Sequence, residues 1–377
     1  MNIIVTNFIF PRLHYLFYST FALIAGITCQ FLCQQIAVSM IVAVLATAGA
    51  YACRLRLAYG DTLCLVLPIS FLAGSLLCLY QQQKFDAFYG LTTHKVATIR
   101  GSVSFVEKIY NQRFKAVMHI DVSTIATPEE IIHCNQTIAL YVRDIPNLLV
   151  GDIVEIDNIT FKKTSRGSFA TYLLKEKIAA TLFIETLSYT LIKRPAFSAK
   201  RTISLFKNKV LYQLKKKINS ETFQLFSSIF LGNRTAVKKQ MDTTKEPFKI
   251  WGTSHYLARS GLHLVIFVII WHFILGLLPL SYLLKQLFLL LLIFTYALLS
   301  WSSVSFERAL LMVIIYKLCT ISGSACHYVH LIIFVTALVL CNNPYQLFFL
   351  DFQLSFGLTF ALAWFNYIQA RKKLAYS

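Results

Sequence analysis

Residues 260–284 read SGLHLVIFVIIWHFILGLLPLSYLL, a run of 25 positions without Asp, Glu, Lys or Arg. A helix needs about 20 predominantly apolar residues to cross the hydrocarbon of a bilayer, so this run takes lipid as its solvent. Reading outward finds more of the same kind. Leu13–Cys53 is uncharged for 41 residues and is broken only by the polar cluster Gln30, Gln34, Gln35, which predicts two helices and a tight hairpin. Thr62–Gln83 (22 residues), Gln286–Phe306 (21) and Phe352–Ala370 (19) are further uncharged stretches, while Ala309–Ile321 carries Lys317 and Tyr328–Cys341 is short. These segments predict about eight crossings. Of the 377 residues 56% are hydrophobic and 14% charged, against roughly 25% charged in a soluble domain, and mean hydropathy is +0.60. A simple soluble enzyme is excluded.

One section does not fit a bundle of spans. From about 94 to 190 apolar and polar residues alternate, as in Val96–Val103 and Ala116–Val122, the period of strands with one wet face. Further runs at Thr137–Arg143, Ile153–Phe161 (after a Gly151-Asp152 turn) and Ile178–Ile184, with a helical segment at Tyr172–Lys177, predict five strands and one helix. That set fits a small Greek-key barrel of the OB type. The fold class expected is a membrane all-α helix bundle with an inserted extracytoplasmic all-β OB-like barrel. Its parts are N-terminal helices at 1–93, the barrel at 94–190, a basic segment at 191–254 and a second helix bundle at 255–377.

The formal charge of +19 is unevenly placed. Residues 193–259 hold 15 basic and 3 acidic side chains, whereas residues 94–190 hold 11 and 10. A polyanion, phospholipid or nucleic acid, is therefore sought at the basic segment; single-stranded DNA is expected there, held more by this segment than by the barrel, with Lys200, Arg201, Lys207, Lys209, Lys215, Lys216 and Lys217 as contacts and anionic lipid as the competing partner. If helical, this segment gathers Ile203, Phe206, Val210, Leu214 and Ile218 on one arc and reads as interfacial. Arg54, Arg56 and the terminal Arg371-Lys372-Lys373 mark cytoplasmic ends, which places the barrel outside.

Chemistry is scarce. No G-x-x-x-x-G-K-[ST] loop, H-E-x-x-H, H-x-H-x-D-H or G-x-S-x-G run occurs, which removes the commonest ATP, zinc-hydrolase and serine-hydrolase readings. Eight of nine cysteines lie in or beside apolar stretches, without zinc spacing or a disulfide framework. No enzymatic activity, cofactor or metal is expected. His327 and His330 stand at i, i+3 with no nearby carboxylate and read as helix-end packing. In the barrel Phe105, Tyr110, Phe114, Tyr141, Phe161, Phe169 and Tyr172 are candidate stacking platforms.

The distinctive run is His255-Tyr256-Leu257-Ala258-Arg259-Ser260-Gly261-Leu262-His263, where two imidazoles, a cation and a flexible Ser-Gly pair open an apolar helix. On physics alone it also reads as an interfacial entry with a snorkelling Arg259. The run resembles the H-L-L-A-I-S-G-L-H signature of the ComEC family of competence proteins. Phe230-Leu231-Gly232-Asn233-Arg234 is similar to that family's L-L-G-x-R element, Glu307 to Met312 to its R-A-x-x-M element, and Asp351 to Phe356 to its F-Q-L-S-F element. Gly167 to Leu173 resembles the closing segment of the family's barrel. Arg259 departs from the pattern, standing where an apolar residue is usual. Only seven residues follow Ala370, so the metallo-β-lactamase-like domain of many members is not expected.

The resemblance implies a multi-pass channel of the bacterial inner membrane for uptake of single-stranded DNA in natural transformation. It implies a separate DNA receptor, a cytoplasmic motor ATPase and a nuclease as partners, with membrane lipid around it and a homo-oligomer as one arrangement. The nucleic-acid path it suggests comprises His255, Arg259, Ser260, Gly261, His263, Arg308, Asp351 and Gln353. Arg308 reads equally as a phosphate guide or as an ion pair with Glu307 or Asp351; Asp351 and Gln353 read also as a helix cap and an interhelical hydrogen bond. A small-solute or lipid transporter and a shortened, non-conducting envelope scaffold are the alternative functions.

Overall fold

The computed structural model describes residues 2–33, 41–42, 61–92, 96–108, 114–126, 131–144, 146–161, 168–185, 187–195, 198–231, 261–300, 303–324 and 326–376. The helices are α1 (Asn2–Cys33), α2 (Asp61–Thr92), α3 (Ser168–Glu176), α4 (Ala199–Lys217), α5 (Ser220–Phe226), α6 (Gly261–Gly276), α7 (Tyr282–Leu299), α8 (Val304–Ile321), α9 (Tyr328–Asn342) and α10 (Leu350–Tyr376). A π-turn, Ser227–Leu231, follows α5 and a 3-10 turn, Pro344–Phe348, precedes α10. The strands are β1 (Val96–Lys108), β2 (Ala116–Ala126), β3 (Ile131–Val142), β4 (Ile153–Thr160), β5 (Ile178–Ile184) and β6 (Tyr189–Lys193). The chain divides into two compact units, Met1–Gln83 with Leu275–Leu290 and Val304–Ser377, and Lys84–Ile274 with Leu291–Ser303.

The first unit is helical. Its core joins Leu23 and Ile27 of α1 to Met312 of α8, Phe352 and Phe356 of α10, and the buried run of α9. Helix α9 is apolar on every side, and such a helix belongs inside; Val329, Leu331, Ile332, Val335 and Leu340 are all buried. Helices α1 and α2 cross at Gly26 and Gly74. A Cβ at Gly26 would strike the Phe71 backbone carbonyl and one at Gly74 that of Leu23, and the Ser75 hydroxyl donates across the crossing to Gly26 O at 3.0 Å. Small residues that let helix backbones meet, with a polar side chain bonded across, are the packing used in lipid.

The second unit is built on a six-stranded mixed sheet in the order β5-β3-β2-β1-β4-β6. All pairs are antiparallel except β3 with β5. Alternation is explicit in β2, where Ala116, Met118, Ile120 and Val122 point into the core. Leu182 of β5, at one end of the strand order, and Ile156 and Ile159 of β4, next to last at the other, share that core, so the sheet curls on itself. The five-stranded expectation is corrected to six. The added β6 pairs with β4, and among the described residues no ladder joins β5 to β4. A groove of about 410 Å³ lies there, lined by Ile156, Asp157, Leu182, Ile184, Glu185 and Leu187.

Among the described residues two helices are long and apolar enough to cross a membrane, Leu16–Cys33 within α1 and Tyr282–Leu299; α6 and α9 are shorter apolar helices. These four stand among the described residues where eight crossings are expected, and the second arm of the N-terminal hairpin lies outside the described residues except for 41–42. One boundary moves. Ser260–Leu284 is not a single span: α6 stops at Gly276 and α7 starts at Tyr282, because Gly276 and Pro279 end a helix more strongly than Lys285 interrupts one. Lys285 instead sits in the first turn of α7 and its ammonium donates to Gly276 O at 3.3 Å.

Candidate functional site

The short motifs come together in pairs. In the second unit Phe230, in the π-turn, meets His263, in the first turn of α6, ring edge to ring face at 5.6 Å. Phe226 stacks on the other side of Phe230 at 5.4 Å. The Tyr296 hydroxyl donates to Phe230 O at 2.6 Å, and its ring stacks on Phe267 at 4.6 Å. The π-turn, the start of α6 and the end of α7 thus converge on one aromatic cluster. A single π-helical turn is rare and frequent at functional positions, and here it carries Phe230, the ring that meets the imidazole. Gly261 opens α6. His255, Arg259 and Ser260 lie outside the described residues.

In the first unit Arg308 of α8 reaches α10. Its guanidinium donates to Ser355 O at 2.6 Å and to the Thr359 hydroxyl, and lies 5.6 Å from the centroid of the Phe356 ring. Arg308 is therefore held by a backbone carbonyl, a hydroxyl and an aromatic face rather than by the carboxylate of Glu307 or Asp351. Its Nε is buried without a partner, so the cation is anchored at one corner of its fork. Asp351 lies inside the first turn of α10 rather than at its cap. Gln353 donates to Leu347 O at 2.9 Å, a bond back to the preceding 3-10 turn and not to another long helix.

Within the described part of the basic segment the seven candidate contacts fall on helix α4, capped by the Ser198 hydroxyl, which accepts from the Arg201 amide. Three of its seven candidate contacts are engaged within the protein. Lys200 pairs with Asp121 on β2 at 3.1 Å, Arg201 pairs with Asp152 at 2.5 Å, and Lys207 donates to Ser300 O at 3.3 Å. Lys209, Lys215, Lys216 and Lys217 are exposed.

Asp152 is a site that the sequence reading missed. Its side chain is 0% exposed, covered by Arg194, which donates through Nε and a terminal nitrogen at 3.1 and 2.8 Å, by Arg201, and by the Leu149 amide at 2.9 Å. Arg201 also donates to Val150 O and Pro195 O at 3.0 and 2.7 Å. Burial pushes the Asp152 carboxyl up, but the Arg194 bonds, the Leu149 amide and the charges of both arginines outweigh it and hold it below the usual carboxylate range. Gly151 precedes it at φ +89, and a Cβ there would also stand 2.8 Å from the Ser198 hydroxyl. For Asp121 burial likewise pushes up, while bonds from Lys200, Thr137 and Ser104 bring the net value down.

The candidate stacking platforms of the barrel divide by burial. Phe114 and Phe161 are core residues. Tyr141 stacks on Phe183 at 4.9 Å, Phe105 rests on His119 at 5.1 Å, and Phe169 and Tyr172 are exposed and parallel at 6.4 Å. Tyr110 lies outside the described residues. Among the described residues no three His, Cys, Asp or Glu side chains converge as metal ligands, and His327 and His330 meet edge to face at 5.5 Å.

No curated protein and no solved structure matches the chain. Residues 229–376 match the family model described as Competence protein. The match spans both motif pairs, Phe230 with His263 and Arg308 with Ser355 and Phe356, so this part of the chain is similar to the competence family.

Proposed function

We propose that this protein is an integral membrane channel for uptake of single-stranded DNA in natural transformation, with its barrel on the outer side of the bacterial inner membrane. One observation carries the reading: the competence-family match covers the aromatic cluster at the entry of α6 and the Arg308 clamp together. The family suggests a role in DNA uptake for transformation; conduction is our inference. Each nucleotide brings a phosphate charge that bare hydrocarbon rejects, so a conducting chain needs polar and cationic groups within its helical part. His263 and Arg308, with His255, Arg259, Ser260, Gly261, Asp351 and Gln353, are the groups assigned to that task. Force, strand removal and outer capture fall to partners: a cytoplasmic motor ATPase, a nuclease and a DNA receptor. The protein itself carries out no reaction and takes no cofactor.

The test is uptake in cells that lack the protein. Labelled duplex should still collect at the cell surface, while entry of a single strand into the cytoplasm should be abolished and return on expression of this chain. Unchanged entry in the deleted cells overturns the reading.

A further inference from the structure

Helix α4 presents two unlike faces. Toward the protein it turns Arg201, Ser204, Lys207, Leu211, Leu214 and Val210, all half-buried. Away from it point Leu205, Phe206 and Tyr212, which are 49%, 48% and 71% exposed, interleaved with Lys209 and Lys216. The arc expected from the sequence is thus rotated: Val210 and Leu214 face inward, and the outward face has an apolar set of its own. In water a large exposed apolar set between lysines has no packing partner.

The level at which α4 lies is set by Lys207. Its ammonium donates to Ser300 O, and Ser300 is the first residue beyond α7, whose 18 residues form an apolar candidate span. The end of a span is where hydrocarbon gives way to headgroups, and where Tyr and Trp concentrate beside flanking Lys and Arg. Tyrosine keeps its ring in the apolar layer and its hydroxyl in the polar one, and a lysine stem lies along apolar surface with its ammonium raised to phosphate.

We propose that the outward face of α4 lies on anionic phospholipid, with Leu205, Phe206 and Tyr212 in the upper acyl layer and Lys209, Lys215, Lys216 and Lys217 on headgroup phosphates. Single-stranded DNA is the other polyanion that rings and lysines can hold. Leu205 offers no surface for base stacking, however, and Lys207 fixes the helix beside the end of an apolar span. The inference requires only that α7 crosses lipid; its test reads lipid contact and not uptake, so its failure is separable from failure of the DNA reading.

The full-length protein, carrying p-benzoylphenylalanine in place of Tyr212, is reconstituted in vesicles of equal phosphatidylglycerol and phosphatidylcholine with oligothymidylate on both sides, and illuminated. Adducts of the α4 peptide are identified by mass. Phospholipid adducts enriched in phosphatidylglycerol are expected. With Lys209, Lys215, Lys216 and Lys217 changed to Gln, the enrichment should fall by at least about tenfold, while lipid adducts persist because Tyr212 stays in place. Oligothymidylate adducts formed at the expense of lipid overturn the proposal, as do an absence of lipid adducts or an enrichment unchanged in the quadruple variant.

Discussion

Asp152 shows what a single buried carboxylate does when two guanidiniums and an amide close over it. Breaking a buried pair by removing one partner costs about 3–5 kcal/mol, since the other charge is left uncompensated. Asp152→Asn is therefore expected to destabilise the second unit by about 3 kcal/mol, read as faster hydrogen exchange in β1 and β4 and in the first turns of α4. The pH dependence follows in sign. The folded carboxyl lies below its unfolded value, near 3.9 for Asp, so the contribution is fully present above that unfolded value and is lost as pH falls through the depressed folded one. Acid should release α4 from the sheet in the parent, and Asp152→Asn should remove most of that acid dependence. None of this was legible locally. Gly151-Asp152 reads only as a turn, because the arginines that make it a hub stand 42 and 49 positions away.

Elements were legible where one physical demand dominates. Strand β2 follows from alternation, one face packed and the other less so, whereas Ile138–Leu140 of β3 and Ile178–Ala180 of β5 are buried on both faces, with Leu173 of α3 packed on Ala139 and Ile178. Strand β6 was missed because it is only five residues long and four of its positions are exposed, which leaves no alternation to read. Helix ends were misplaced where charge was counted in preference to Gly276 and Pro279. The helix contacts that matter most depend on single groups. Arg308 ties α8 to α10 through a backbone carbonyl and a ring, and Lys cannot reproduce the planar fork or the stacking. Arg308→Lys should cost about 2 kcal/mol in the α8–α10 contact, visible as raised exchange around Ser355 and a lowered melting temperature in detergent. The α1–α2 crossing depends on the absence of a side chain. Gly74→Leu should push α2 from α1 and lower the melting temperature of the detergent-solubilised protein, whereas Gly276→Leu, at a site with open space around its Cβ position, should leave the α1–α2 contact in place. Equal loss from both would show that the crossing is not the sensitive point.

At the scale of the whole molecule the topology can be checked against itself. The positive-inside rule applied to Arg54 and Arg56 places the barrel outside and leaves the cationic α4 on the outer side, against the rule's own tendency. An independent constraint comes from a hydrogen bond. If α6 enters the membrane after the basic segment and α7 returns, two crossings separate α4 from Ser300, and an even number must bring the chain back to the side it left. Lys207 on α4 meets Ser300 at the end of α7, which is the arrangement such a pair of crossings requires whichever side is outer. The same bond gives one cation of α4, Lys207, a role that offsets the rule, because it fixes the helix beside the end of a candidate span. Were α8, α9 and α10 also to cross, three further crossings would bring Arg371-Lys372-Lys373 to the opposite side, as the rule requires. Cysteine labelling with an impermeant reagent, after native thiols are removed, tests the scheme in intact spheroplasts. Ile131→Cys on the barrel and Ser303→Cys beyond α7 should both label without permeabilisation, and Tyr376→Cys only after it. If Ile131→Cys and Ser303→Cys label from opposite sides, α6 and α7 do not form an in-and-out pair; if both label only after permeabilisation, the barrel faces the cytoplasm and the orientation is reversed.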